Sequence, residues 1–121
     1  MYKYQSLEAW KRAHAAMILA LRATDAAYHP KAKAVFDQLK RAAISVEANI
    51  VEGYALGTPQ YFRKHLRIAM GSAAEAECLC RAAAELGTSD LKRHSSSNRC
   101  SVEQCERFTA CSTAPARQHV Q

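Results

Sequence analysis

No stretch of the sequence approaches the roughly 20 apolar residues of a membrane-spanning helix. The N-terminus also lacks the apolar run of a secretory leader. Charged residues interrupt that region instead, at Lys3, Glu8, Lys11 and Arg12. The lack of both segments argues against a membrane partner and predicts a cytoplasmic location.

The cysteine pattern lacks the features of a disulfide framework or a metal site. The chain has five cysteines, an odd number, and no CxxC pair, so we expect reduced thiols. Cys100, Cys105 and Cys111, with His94 and His119, supply ligand types that zinc accepts. Their spacing is wider than the about two to four residues of structural zinc sites, which predicts no metal and no cofactor.

Motifs of known catalytic chemistry are missing as well, since there is no glycine-rich phosphate loop, nucleophile elbow or HExxH sequence. Glu47, Glu52, Glu75 and Glu77, with His65, supply the residue types of carboxylate–histidine sites in helical bundles. The ExxH pairing that such sites use is absent. We therefore expect no catalytic residues and no enzymatic activity.

Positive charge is in excess, with 17 Lys and Arg against 11 Asp and Glu in 121 residues. This excess favours an acidic partner, nucleic acid ahead of a membrane surface. It is spread along the chain, so a soluble surface with incidental basicity is the alternative. The length and the 49% hydrophobic content are those of a single domain with one core.

Three segments have helical periodicity, at about 6–28, 31–52 and 59–86. Ser6 is the expected N-cap of the first, and His14 on its apolar face is expected to be a half-buried core residue rather than a ligand. The alanines of this segment permit close approach of a neighbouring helix. The predicted apolar face consists of Leu7, Trp10, His14, Met17, Leu21, Thr24 and Tyr28.

The second and third segments carry clear end signals. We expect Gly53 to be a left-handed C-cap, Thr58 to be the N-cap of the third helix and Pro59 to lie in its first turn. Gly71 predicts a close backbone approach, and Gly87 the helix end. The predicted apolar faces are Val35, Phe36, Leu39, Ala42, Ala43, Val46 and Ile50, and then Phe62, Leu66, Ala69, Ala73, Ala76, Leu79 or Cys80, Ala83 and Leu86.

A ladder of polar residues runs beside the apolar face of the second helix, at Arg41, Ser45, Asn49 and Glu52. The short connection after it makes the next helix an antiparallel neighbour, which brings Ser72 and Glu75 within reach. We predict that Arg41 pairs with Glu75 and that these six residues form a polar seam fixing helix register. A catalytic site is the less favoured alternative.

Candidate nucleic-acid contacts are basic residues outside this seam. Arg63, Lys64 and Arg67 share part of one exposed helix face beside Tyr61, whose ring is suited to stacking on a base. A solvated helix surface is the alternative interpretation. The full candidate set is Lys11, Arg12, Lys40, Tyr61, Arg63, Lys64 and Arg67.

Three motifs carry a family resemblance: LxxWxxA from Leu7, QLxRAAxSVxxNIVEG from Gln38 to Gly53, and FxxxLxIAxGSxxExE from Phe62. Over about residues 4–88 the chain resembles the bacterial four-helix-bundle family of 23S ribosomal RNA intervening-sequence proteins. It is also similar to the accessory variability proteins of diversity-generating retroelements. The resemblance implies an all-α, antiparallel up-and-down bundle of four helices, no enzymatic activity, a homopentamer meeting RNA or DNA and, in the retroelement branch, a reverse transcriptase partner.

The chain departs from that family pattern after its third helix. Residues 1–88 form the predicted bundle domain, whereas residues 89–121 are rich in Ser, Cys and Arg and support a fourth amphipathic helix poorly. This tail is either a genuinely different segment or one translated out of frame. Without a fourth helix, three helices leave an apolar groove for the tail or a partner subunit to cover, or leave it open.

Overall fold

Three α-helices follow one another in the computed structural model, which describes residues 3–91. They are α1 (Glu8–Ala26), α2 (Lys33–Ala55) and α3 (Pro59–Leu91). Short 3-10 turns precede α1 at Lys3–Ser6 and α2 at Pro30–Ala32. Within residues 3–91 there is no strand, and the predicted all-α fold is confirmed.

The residues before α3 explain where that helix begins, whereas α1 begins without a side-chain cap. Thr58 caps α3, because its Oγ1 accepts a hydrogen bond from the Tyr61 backbone N–H at 3.3 Å, and Pro59 is the first helical residue. Both predictions are confirmed. Ser6 does not cap α1, because its hydroxyl donates to the Lys3 carbonyl at 2.7 Å within the preceding 3-10 turn. The N-cap of α1 is Leu7, which contributes no side-chain bond.

The glycines have different roles from those predicted. Gly53 is buried inside α2, which continues to Ala55, and the left-handed residue of the connection is Gly57, with φ 72°. A Cβ added at Gly53 would lie 2.7 Å from Cβ of His65, whereas one at Gly71 would have no neighbour within 4 Å. The close approach of α2 and α3 is therefore at Gly53, and the predictions for Gly53 and Gly71 are both wrong.

Helix α2 lies between the other two helices and runs antiparallel to each. On one side Lys40 contacts Asp25 of α1, and Glu47, further along α2, contacts the earlier residue His14. On the other side Ser45 contacts Ser72 of α3, and Asn49 contacts the earlier residue His65. As the residue number increases along α2, the number of the contacted residue decreases on both α1 and α3. This is the antiparallel, up-and-down order that was predicted.

The buried faces consist largely of alanine. In the central cluster, Leu39 is the only residue with a large, fully buried side chain among the described residues, with 1% of its surface exposed. Small side chains let helix backbones approach closely, so contacts between main-chain atoms and methyl groups replace interlocking of long side chains. Around Leu39 the cluster consists of Ala16, Ala20, Ala42, Ala43, Ala76 and Cys80.

The buried face of α1 is the largest departure from the predicted core. Its buried residues are Ala13, Ala16, Ala20, Ala23 and Thr24. Of the predicted stripe only Thr24 is buried, while Leu7, Trp10, His14, Met17 and Leu21 are half-buried and Tyr28 is exposed. The alanine face packs close against α2, and the larger side chains lie along its edge.

The predicted end of α3 before Gly87 is also wrong, because the helix continues to Leu91. The predictions for the remainder of the tail, including the His94, Cys100, Cys105, Cys111 and His119 ligand types, lie outside the described residues. None of the described helices combines the length and the apolar character that crossing a membrane requires.

Candidate nucleic-acid interface and polar seam

The first half of α3 carries exposed positive charge and no acidic residue. Arg63, Lys64 and Arg67 are exposed, as is Tyr61, and none of the three cations has an ion pair within residues 3–91. Between Pro59 and Ala74 the helix contains no Asp or Glu. The positive end of the helix dipole adds to this charge. We call residues 59–74 the basic segment.

Two other candidates in the predicted set differ because neighbouring acids offset their charge. Arg12 Nε lies 3.3 Å from the Glu8 carboxylate, one turn earlier on α1. Lys40 Nζ lies 2.5 Å from the Asp25 carboxylate, which ties α2 to α1. Lys11 is exposed without such a partner in the described chain. The structure thus separates Arg12 and Lys40 from the basic segment, whose three cations are unpaired within residues 3–91.

A further lysine, Lys33, is also paired. Its ammonium group donates a hydrogen bond to the Asp37 carboxylate one turn later on α2. That bond raises the pKa of Lys33 and lowers the pKa of Asp37 from their ordinary values, since each charge favours the ionised form of the other. Both groups are solvent-accessible, so the pair neutralises local charge without anchoring the fold.

The polar seam between α2 and α3 contains a continuous chain of hydrogen bonds. Ser45 Oγ and Ser72 Oγ are 2.9 Å apart, and Asn49 Nδ2 donates to the Ser45 carbonyl at 2.9 Å. Asn49 Oδ1 is then the acceptor facing His65 Nδ1 at 3.1 Å, so this network places a proton on His65 Nδ1. His65 belongs to the seam although the sequence analysis did not include it.

The predicted pairing of Arg41 with Glu75 is wrong, because Arg41 is exposed and has no ion pair in the described part of the chain. Glu75 accepts instead from Gln38 Nε2 at 2.6 Å. The reason is geometric: at 3.6 residues per turn, each four-residue step rotates the ladder by about 40°. Two steps from Asn49 to Arg41 turn the guanidinium away from α3, whereas Gln38 rotates back towards it.

The seam predicts energetic coupling between its two serines. Replacing Ser45 and Ser72 with alanine, singly and together, should give a coupling of about 0.5–1.5 kcal/mol in the free energy of unfolding, since each loses the same hydrogen bond. Chemical denaturation measures it. In the control cycle, Arg41→Ala and Glu75→Ala should be additive within about 0.5 kcal/mol. Coupling in the control but not between the serines would contradict this geometry.

A second polar cluster joins α1 to α2 and was not predicted. Glu47, with 16% of its side chain exposed, accepts a hydrogen bond from Trp10 Nε1 at 3.0 Å and lies 3.1 Å from His14 Nδ1. The rings of Trp10 and His14 are stacked with centroids 5.0 Å apart, and Tyr4 contacts Trp10 edge-on. The spacing of Trp10 and His14 by one turn was visible in the sequence, but their carboxylate partner on α2 was not.

The polar groups of the seam and of the second cluster contact one another within the bundle. His14 has one carboxylate neighbour, which fits the half-buried role predicted for it, and residues 3–91 contain no group of three or more metal-ligating side chains. The remaining functional feature is the basic segment, with its concentration of unpaired cations.

Comparison with known proteins identifies one family. The family model described as 23S rRNA-intervening sequence protein matches residues 5–108, a range that contains all of α1, α2 and α3 and extends past Leu91. Curated proteins and solved structures gave no match. The matched range covers well over half of the chain, so this protein belongs to the 23S rRNA-intervening sequence protein family.

Proposed function

We propose that the protein is a non-catalytic helical-bundle protein that binds or scaffolds nucleic acid, RNA or DNA, through the basic segment. The observation that carries this proposal is the exposure of Arg63, Lys64 and Arg67 on a stretch of α3 without acidic residues. Three unpaired cations on about one and a half helical turns suit a phosphate backbone, because they bind its charge without requiring a base sequence.

Self-association would strengthen such a site. We propose a homo-oligomer, with five copies as the family resemblance implies. Large apolar side chains left exposed on α2 and α3 support it: Met70, with 71% exposure, Ile44 and Ile68. Where such side chains lie together, they form the apolar patches that mark contact sites between proteins. Repetition of the basic segment by symmetry turns a weak patch into a multivalent one.

Charge reversal tests the nucleic-acid role. The triple variant Arg63→Glu, Lys64→Glu and Arg67→Glu should lose measurable binding to a labelled RNA in fluorescence anisotropy at low salt. Wild-type affinity should fall with salt, and a variant with the three cations neutralised to glutamine should reduce the slope of log K against log salt by about 2 to 3.

The matched control reverses three exposed cations elsewhere, Lys3→Glu, Arg22→Glu and Lys31→Glu, with the same change in net charge. It should retain most of the binding. Equal losses in both triple variants would show that net charge alone governs binding and would remove the basic segment as a site. Wild-type affinity that does not change with salt would contradict phosphate binding.

The second candidate function is a protein–protein assembly module without a nucleic-acid role, which the exposed Ile44, Ile68 and Met70 favour. If the protein is only an assembly module, charge reversal in the basic segment should leave its assembly unchanged. Light scattering of the same variants gives the number of copies in each assembly, so that loss of assembly and loss of binding are distinguished.

A further inference from the structure

A cleft lies at the end of the α2–α3 hairpin, directly before the basic segment. Its volume is about 550 Å³, and it is open to solvent, since Ala55, Thr58 and Pro59 of its lining are exposed. The rings of Tyr54 and Phe62 line it with their centroids 6.4 Å apart and edge to face. Gly53, Ala55 and Gly57 also line it.

The cleft exists because the hairpin end is built from residues with little or no side chain. Gly53 is glycine because His65 and Phe62 of α3 approach its backbone closely. Gly57 has a positive φ of 72°, which favours glycine in the turn. Close packing at Gly53 brings Phe62 of α3 against α2, and the turn at Gly57 leaves space beside the rings of Tyr54 and Phe62.

Its lining is uncharged, and positive charge lies immediately next to it. Arg63 follows the lining residue Phe62, and Lys64 comes next, within about 8 Å of the helix start along its axis. One acid is equally near in sequence, because Glu52 precedes the lining residue Gly53, and its carboxylate lies 3.7 Å from His65 Nδ1 in the seam. An aromatic recess beside cations suits a ligand with a flat apolar part joined to a phosphate.

Resting on the proposed nucleic-acid function, we infer that the cleft receives an unpaired base and that the protein binds single-stranded nucleic acid in preference to a duplex. The base packs against Tyr54 and Phe62, while Arg63 and its neighbours bind the adjoining phosphates. A paired base is enclosed in the stack of a duplex and cannot enter a recess of this kind. Stacking tolerates any base, so the preference is for strandedness rather than sequence.

The experiment compares three labelled 12-nucleotide probes by fluorescence anisotropy at one salt concentration: a single-stranded RNA, its duplex, and a strand with abasic sites in place of bases. The single strand should bind about tenfold more tightly than either other probe. The variant Ala55→Leu fills the cleft with a side chain that has no aromatic face. Its affinity for the single strand should fall about tenfold, and its affinity for the duplex should equal that of the wild type.

The matched control is Ala34→Leu, an exposed alanine of α2 that lies outside both the cleft and the basic segment, and its binding should equal that of the wild type. Equal binding of single strand, duplex and abasic strand, or equal behaviour of both leucine variants, would overturn the inference while leaving the proposed function intact. Failure of every probe to bind, or binding insensitive to charge reversal in the basic segment, would instead reject the proposed function.

Discussion

Replacing Gly53 with alanine should lower the free energy of unfolding by about 1–3 kcal/mol, although the same substitution inside a helix ordinarily stabilises it by about 1 kcal/mol. The added Cβ would lie 2.7 Å from Cβ of His65 and 3.3 Å from Cα of Phe62. Both atoms are fixed to the α3 backbone, so relief requires the helices to separate. Urea denaturation, followed by circular dichroism, measures the loss.

Gly71→Ala is the matched control, because it makes the same change on α3 where a Cβ would meet nothing within 4 Å. It should raise the free energy of unfolding by about 1 kcal/mol through helix propensity alone. The two glycines are thus expected to respond with opposite signs. Stabilisation by both substitutions would show that α2 and α3 are further apart than described here.

The second large effect is expected from Leu39→Ala, which should lower the free energy of unfolding by about 2–5 kcal/mol. Leu39 is 1% exposed and lies in a cluster of alanines and Cys80, with the half-buried Met17, Leu19 and Leu79 packed against it. The buried neighbours have short side chains, so only a shift of the three larger ones at the edge would fill part of the cavity. A domain of this size has about 5–15 kcal/mol in total, and the loss is therefore a large fraction of its stability.

Leu56→Ala removes the same atoms from a side chain that is 52% exposed in the turn. It should change the free energy of unfolding by no more than about 0.5 kcal/mol. Both variants can be followed by the emission of Trp10, the single tryptophan, whose contact with Glu47 reports on the α1–α2 interface. Similar losses for the two leucines would mean that Leu39 does not occupy the centre of the core.

The beginning of α3 and the antiparallel order of the helices were predictable from the sequence because they depend on local chemistry. Thr58 and Pro59 act on the first turn of their own helix, and a short connection leaves few geometries for the helices that it joins. The buried face of α1 was not predictable in this way. Periodicity weighs large apolar residues such as Trp10 and Met17, whereas the closest packing occurs where Ala16 and Ala20 let another backbone approach.

In the seam and in the candidate interface, too, the features set by local spacing were predictable and those set by packing were not. Spacing placed Ser45, Asn49 and Ser72 in one region, but the partner of each side chain depends on helix rotation, which sequence spacing leaves uncertain by tens of degrees. For that reason Glu75 pairs with Gln38 and not with Arg41. Equally, the exposure of Arg63 and the neutralisation of Lys40 by Asp25 depend on residues distant in the chain, and a sequence pattern of charges cannot distinguish the two.

The alanine core has a consequence at the level of the gene. An alanine codon differs by a single base from codons for Val, Thr, Ser, Pro and Gly, and for either Asp or Glu. At Ala76, which is fully buried, each of these enlarges the side chain, adds a polar group, breaks the helix or loosens it. Almost every amino-acid substitution that a point mutation produces at Ala76 is therefore destabilising. An exposed residue such as Met70 can vary freely as far as the fold of one chain is concerned. Divergence among sequences that keep this fold should accumulate on the outer faces and leave the small residues between the helices in place.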